Sequence, residues 1–223
     1  LDLEIRAGEK IALLGVTGAG KTTALRLINR VYDPTQGEVL LDGTPVQDWS
    51  LSRLRHSVGV ILQDGILFSG DVRRNITLGD ESISDESIWL ALEQVGAQDI
   101  VRRLGGLDGE LLQRGGNLSA GERQLLAFAR VMAYDPTVLL LDEATSNVDS
   151  FTEQRLQDAI ERAMEGRTTL VVAHRLSTIQ QVDRIAVMHQ GRLAEQGKHD
   201  ELMAKDGLYK RLYSTYFAAE PAA

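Results

Sequence analysis

The sequence predicts an α/β protein: a largely parallel sheet, a small antiparallel part and an inserted α-helical lobe. Three observations predict it. Apolar runs of strand length alternate with stretches of helical period, as in strands joined by crossover helices. From Asp64 to about Met132 the strand character lapses and helical patterns take over. An Asp-Gly step at residues 42–43 joins two short apolar runs, the mark of a hairpin.

The elements follow in order. Leu1–Ile5 alternates apolar and polar residues and reads as the middle of a strand, a place where a domain seldom begins. The chain is therefore expected to be cut from something longer. KIALLG (Lys10 to Gly15) is a buried strand ending in glycine, and GKTTALRLINRVY continues it as a helix with Leu25, Ile28 and Tyr32 at helical spacing. GEVLLDGTPV (Gly37 to Val46) reads as strand, turn, strand, and SVGVILQ (Ser57 to Gln63) as another buried strand. DESIWLALEQVG (Asp85 to Gly96) is helical with Asp85 as its cap, DIVRRL continues the pattern, and a further helix opens after Ser119. Strands return at TVLLLD (Thr137 to Asp142) and TTLVVAH (Thr168 to His174), with a polar helix, Phe151 to Met164, between them. RIAVMHQGRLAEQG (Arg184 to Gly197) is a hairpin, and one or two helices close the chain.

Composition narrows the function. The chain has 223 residues, 43% of them hydrophobic, enough for a sizeable core. A net charge of -8 disfavours sequence-independent binding to nucleic acid, and no nucleic-acid partner is expected. There is no cysteine, which excludes disulfides and thiolate metal sites. No apolar run approaches the roughly 20 residues of a membrane span, and the first ten residues lack the basic start and apolar core of a signal peptide.

The chemistry begins at GVTGAGKT, Gly15 to Thr22, which fits G-x-x-x-x-G-K-[ST] between a strand and a helix. Gly15, Gly18 and Gly20 let the backbone turn with its N–H groups inward as an anion nest. Lys21 reaches the β- and γ-phosphates of a nucleotide, and the Thr22 hydroxyl ligates Mg²⁺. A glycine-rich turn with an exposed lysine is the plainer alternative, and the flanking strand and helix count against it. VLLLDE places Asp142 and Glu143 at the carboxyl end of a buried strand, where ligands sit in open α/β sheets. An Asp at that place can hold Mg²⁺ through water, and a Glu beside it can polarise the water that attacks a γ-phosphate. Two solvated acids in a turn are the alternative. His174 ends another strand; alone, such a histidine is more often structural than catalytic.

These motifs, with LSAGE (Leu118 to Glu122), ILQD around Gln63, SNVD (Ser146 to Asp149) and AHRLST around His174, occur in the order of one family. The chain resembles the nucleotide-binding domain of ATP-binding cassette (ABC) transporters of the exporter type, over nearly its whole length. The resemblance implies a P-loop NTPase (RecA-like) core over 1–63 and 133–223, and a helical lobe over 64–132 that carries the signature motif. It implies ATP and Mg²⁺ as cofactors. Gly15, Val16, Thr17, Gly18, Ala19, Gly20, Lys21, Thr22 and Thr23 would form the Walker A loop, with Thr22, Gln63 and Asp142 around the metal. Glu143 would be the catalytic base, Gln63 the Q-loop glutamine, His174 the switch histidine and Asp149 the end of the D-loop. Leu118, Ser119, Ala120, Gly121 and Glu122 would act in trans, because two such domains meet head to tail with ATP between Walker motifs and signature. The expected partners are that second domain and the coupling helices of a transmembrane domain lying upstream. The expected place is the cytoplasmic face of the cell's inner or plasma membrane. The aromatic residue that stacks on adenine in this family would lie before Leu1, since none stands between Leu1 and Gly15.

Three positions depart from the family's spelling: Gln113 where exporters often have Glu, Ala120 for Gly, and Glu122 for Gln. Glu122 has two readings. Ser119-x-x-Glu122 is a capping box, in which Glu122 faces its own backbone. Alternatively its carboxylate offsets the positive end of the helix that should meet a phosphate. The second reading implies unequal sites in a heterodimer with a non-identical half-transporter. A soluble ABC ATPase acting on nucleic acid or ribosomes is the alternative function, disfavoured by the acidic balance and by the segment DGILFSGDVRRNI after Gln63.

Overall fold

The computed structural model describes residues 1–61, 65–142, 150–173 and 175–216. In chain order these form β1 (Lys10–Leu14), α1 (Lys21–Ile28), β2 (Leu40–Leu41), β3 (Thr44–Pro45), α2 (Leu51–Ser57), β4 (Val58–Ile61), β5 (Gly70–Asp71), α3 (Val72–Thr77), α4 (Asp85–Gln94) and α5 (Gln98–Arg103). They continue with β6 (Glu110–Leu111), α6 (Ala120–Met132), β7 (Val138–Asp142), α7 (Ser150–Met164), β8 (Thr168–Val172), α8 (Leu176–Gln180), β9 (Arg184–His189), β10 (Arg192–Gly197), α9 (His199–Ala204) and α10 (Leu208–Tyr216).

Two units result. The first comprises Leu1–Val60, Thr137–Ala144 and Gly166–Ala223. Its sheet has the order β10-β9-β1-β8-β7-β4. β1 pairs in parallel with β8 and β9, β7 pairs in parallel with β8, and β10 returns antiparallel to β9. The central strands β1, β7 and β8 are apolar along most of their length, as buried parallel strands are. Ile11, Ala12 and Leu13 are fully buried, as are Leu139 and Leu140. Each such Leu or Ile contributes about 1.5–3 kcal/mol by burial. Leu25 of α1, Leu54 of α2 and Val46 close one part of this core. β2 and β3 make the small antiparallel hairpin, with Asp42 and Gly43 both at positive φ as a two-residue primed turn requires.

The second unit comprises Ile61–Pro136 and Thr145–Glu165. α6 is its axis and packs against α3, α4 and α7. Leu125, Leu126 and Ala129 of α6 lie buried with Ile88 and Leu92 of α4 and Leu156 of α7. Asn75 organises the lead into this unit: its amide donates to the carbonyls of Phe68 and Asp71 and accepts from the Phe68 amide.

Three local expectations are corrected. Leu1–Ile5 forms no strand. Leu3 and Ile5 pack on the core, but the Glu4 carbonyl is taken by the Arg184 guanidinium rather than by a ladder. Tyr32 is not on the helix of Lys21: α1 ends at Ile28, Arg30 turns to φ 51°, and Tyr32 is exposed. The cap of α4 is Ser84, whose hydroxyl accepts from the Ser87 amide, and Asp85 is the first helical residue. Ser84 keeps the extended backbone of a cap and its hydroxyl reaches the third amide, while Asp85, already helical, adds its charge to the first turn.

Candidate functional site

β1 delivers the phosphate loop. Leu13 and Asp142 both pair with Val172 of β8, one on each side, so β1 and β7 end at the same edge of the sheet. Gly15 follows at once and has no room for a side chain: a Cβ there would crowd the Met188 carbonyl and Ala19. Gly18 and Gly20 have φ of 81° and 102°, the left-handed region that glycine enters without strain. The loop is tied down by its own bonds. The Ala19 amide donates to the Val16 carbonyl, and the Gly191 amide in the β9–β10 turn donates to the Ala19 carbonyl. Val16, Thr17 and Gly18 stand exposed around this frame, while Ala19 is buried beneath it.

α1 opens from Gly20 with no side-chain cap and no acid in its first turn. Its first amides are therefore offered outward with the positive end of the helix. Lys21 is buried, and its Nζ donates to the carbonyls of Gly15 (2.7 Å) and Val16 (3.3 Å). Burial lowers its pKa, and the charge of Asp142 pulls it part of the way back. A cation in that state gains from an arriving phosphate. Thr22 and Thr23 are exposed at the helix start. The Thr22 hydroxyl points at Oδ2 of Asp142 over 3.4 Å, long for a direct hydrogen bond. Two hard oxygen donors thus stand side by side. Mg²⁺ is bound by one or two protein oxygens together with the phosphates of its nucleotide, and this pair fits it. Among the described residues no group of three or more His, Asp or Glu could hold a metal unaided.

The residues of LSAGE lie in the second unit. Asn117 fixes the approach, accepting from the Leu112 amide and donating to the Glu110 carbonyl. Leu118 is buried, and its carbonyl takes the Arg123 guanidinium. Ser119 and Ala120 are exposed at the start of α6 and Gly121 is buried. Ser119 accepts from the Glu122 amide (3.2 Å), and Oε2 of Glu122 accepts from the Ser119 amide (2.8 Å). The capping box of the sequence is therefore present. Oε1 of Glu122 accepts from Nη2 of Arg103 at 2.7 Å. Burial pushes the Glu122 carboxyl up, but the Ser119 amide and the Arg103 guanidinium outweigh it and hold it below its ordinary value.

The structure brings together Lys21, Thr22 and Asp142. Gln63, Glu143, Asp149 and His174 lie outside the described residues. Sequence reasoning missed Met188 behind Gly15, Thr152 against Gly121, and Arg103 on Glu122. A glycine inside a helix was the one signal for Thr152; Gly15 was already explained by the loop and gave none for Met188, and no local signal marks Arg103.

A buried lysine under a glycine loop, with a hydroxyl and an aspartate at the same sheet edge, defines a P-loop nucleotide-binding protein. The chain belongs to the ABC transporter family, whose pattern matches residues 1–146. It is 47% identical over 222 residues to an ATP-dependent lipid A-core flippase of Alcanivorax borkumensis, covering 99% of this chain and 38% of that protein. It is 46% identical over 207 residues to the Bacillus subtilis protein named "Probable multidrug resistance ABC transporter ATP-binding/permease protein YheH", covering 92% of this chain and 31% of that one. Its fold matches a bacterial Atm1-family ABC exporter solved with ATP bound, at a TM-score of 0.86 and 40% identity, over 99% of this chain and 38% of the other. The chain thus spans roughly a third of the length of these relatives. It has the fold of the family's ATP-binding domain.

Proposed function

We propose that this chain is the ATP-hydrolysing motor of a membrane exporter, working at the cytoplasmic face of a membrane with transmembrane segments outside this sequence. The observation that carries the reading is the juxtaposition of Lys21, Thr22 and Asp142 at one sheet edge. The names of the relatives support the coupling to export.

In this reading residues 1–63 and 133–223 bind ATP, and the lobe 64–132 presents the signature and meets coupling helices. The loop amides of Gly15 to Thr23 and the start of α1 cradle the phosphates, and Lys21 exchanges its loop carbonyls for β- and γ-phosphate oxygens. Thr22, Asp142 and Gln63 hold Mg²⁺, which when bound neutralises phosphate charge. Glu143 takes the proton of the attacking water, with His174 placing the γ-phosphate. For Gln63, Glu143, His174 and the D-loop Asp149 the support is the order of motifs in the sequence. Leu118 to Glu122 complete the site of a second such domain. The partner is proposed as a second nucleotide domain on a non-identical half-transporter, and the bond from Arg103 to Glu122 weighs against an electrostatic inequality of the two sites.

The test uses the full-length polypeptide in lipid bilayer discs with ATP and Mg²⁺. Glu143→Gln is expected to lower ATPase activity by about 100-fold or more, the scale of a lost general base. It should leave nucleotide binding intact. ATPase within a few-fold of the unsubstituted protein would sink the reading.

A further inference from the structure

The carboxylate of Glu122 stands in the first turn of α6. There it opposes the positive helix start that an incoming γ-phosphate needs. Left alone it would repel that phosphate. It is not left alone. Arg103, the last residue of α5, brings its guanidinium to Oε1 at 2.7 Å, and the Ser119 amide takes Oε2 at 2.8 Å. The Glu122 side chain is 17% exposed and that of Arg103 is 57% exposed. The acid is thus tucked under the base, and the base faces solvent. The Arg103 side chain makes no other hydrogen bond among the described residues and is mostly exposed, so N–H donors remain to it beyond the pair. Glu122 cannot turn away to relieve the problem, because its other oxygen closes the capping box that starts α6.

We propose that Arg103 is a positioning residue for the signature: it cancels the charge of Glu122, so that the start of α6 receives the γ-phosphate of an ATP held by a second nucleotide domain. The proposal rests on the two-domain reading above. It makes the pair the unit of function. A glutamate is acceptable at this position because an arginine from α5 accompanies it, and a glutamine would not require one. Arginine suits the task better than lysine, since its planar fork can bind a carboxylate with one edge and keep donors for another oxygen.

Full-length protein in bilayer discs, assayed for ATPase activity against ATP concentration, tests this. Arg103→Met is expected to raise the KM for ATP about threefold to tenfold, the effect of one uncompensated charge at a helix start. The inhibition constant of ADP, which has no γ-phosphate, should stay within about twofold, since the charge acts where only a γ-phosphate reaches. Whatever Glu122→Gln does by itself, adding Arg103→Met to it should raise the KM for ATP by less than about twofold further, since no carboxylate is then left to cancel. Loss of a merely structural arginine would raise the inhibition constant of ADP along with the KM for ATP, so the split between the two nucleotides separates positioning from folding. If Arg103→Met does not fold, Arg103→Gln keeps a donor for the carboxylate, removes only the charge, and is read by the same outcomes. An unchanged KM in the single variant, or an equal KM rise from Arg103→Met with and without Glu122→Gln, overturns the proposal. Glu143→Gln in the same preparation separates the two levels. If it fails to abolish ATPase activity, the motor reading falls. If it abolishes activity while the Arg103 variants are silent, only the positioning role falls.

Discussion

Gly121 is a glycine because of a threonine in the same unit. A Cβ at this position would overlap Cγ2 of Thr152 in α7, so α6 and α7 approach too closely there for any side chain. Positive φ is not the cause; residue 121 lies within α6. The sequence shows two of the constraints at this spot, the Ser119–Glu122 capping box and the small residue between them. It cannot show Thr152, because contacts between helices depend on how they cross. Gly121→Ala is expected to cost about 1–3 kcal/mol, the scale of an overpacked core. Adding Thr152→Ser deletes the offending methyl, keeps the hydroxyl, and should recover most of the loss in urea unfolding. If Gly121→Ala keeps full stability but loses ATPase activity, the glycine serves the nucleotide and not the packing.

Single elements are held by contacts that sequence patterns only partly reveal. The periodicity of α4, α6 and α7 was plain, whereas their caps depended on which neighbouring oxygen reached the third amide, as Ser84 and Asp85 illustrate. The C-terminal helix is a stronger case. Its start is held by Glu195 of β10, whose two carboxylate oxygens accept from the amides of Leu208 (2.6 Å) and Tyr209 (3.0 Å). A carboxylate at a helix start also meets the favourable end of the dipole. Gly207 leaves the gap for it: a Cβ there would strike the same carboxylate. Tyr209 is fully buried, and its hydroxyl meets Nδ1 of His199 at 2.6 Å, which ties α10 to α9. Glu195→Ala should cost about 2 kcal/mol, in the range of charge-assisted bonds. Hydrogen exchange should show the loss confined to α10, with β1 and β8 protected as before. Equal protection throughout, or a uniform loss, would remove Glu195 as the tether.

Across the molecule, what could be read from sequence was what is written in consecutive residues. The parallel sheet was legible because buried strands are unbroken apolar runs, and the phosphate loop because its chemistry needs adjacent residues. Strand order was not legible, nor was the register that sets Asp142 beside Thr22, since both depend on pairings distant in the chain. Leu1–Ile5 had the alternation of a strand but no ladder to join. The state of Lys21 is also a property of the assembled fold, and it carries a consequence for stability. Burial lowers its pKa from 10.5, against a smaller upward pull from Asp142. Below the folded pKa the lysine is charged in both folded and unfolded chains, and its burial is a standing cost. Between the folded pKa and 10.5 the unfolded chain binds more protons, so stability rises with pH across that window, by at most about 1.4 kcal/mol per pH unit. Lys21→Met removes this contribution. Unfolding midpoints followed from pH 8 to 10.5 should therefore climb more steeply, or fall less, for the native chain than for Lys21→Met. Saturating ATP should erase the difference in slope, because phosphate charge restores the lysine's preference for its proton. Parallel pH profiles without nucleotide would mean that Lys21 is not under strain in the loop, and that its contacts with the Gly15 and Val16 carbonyls fully compensate its burial.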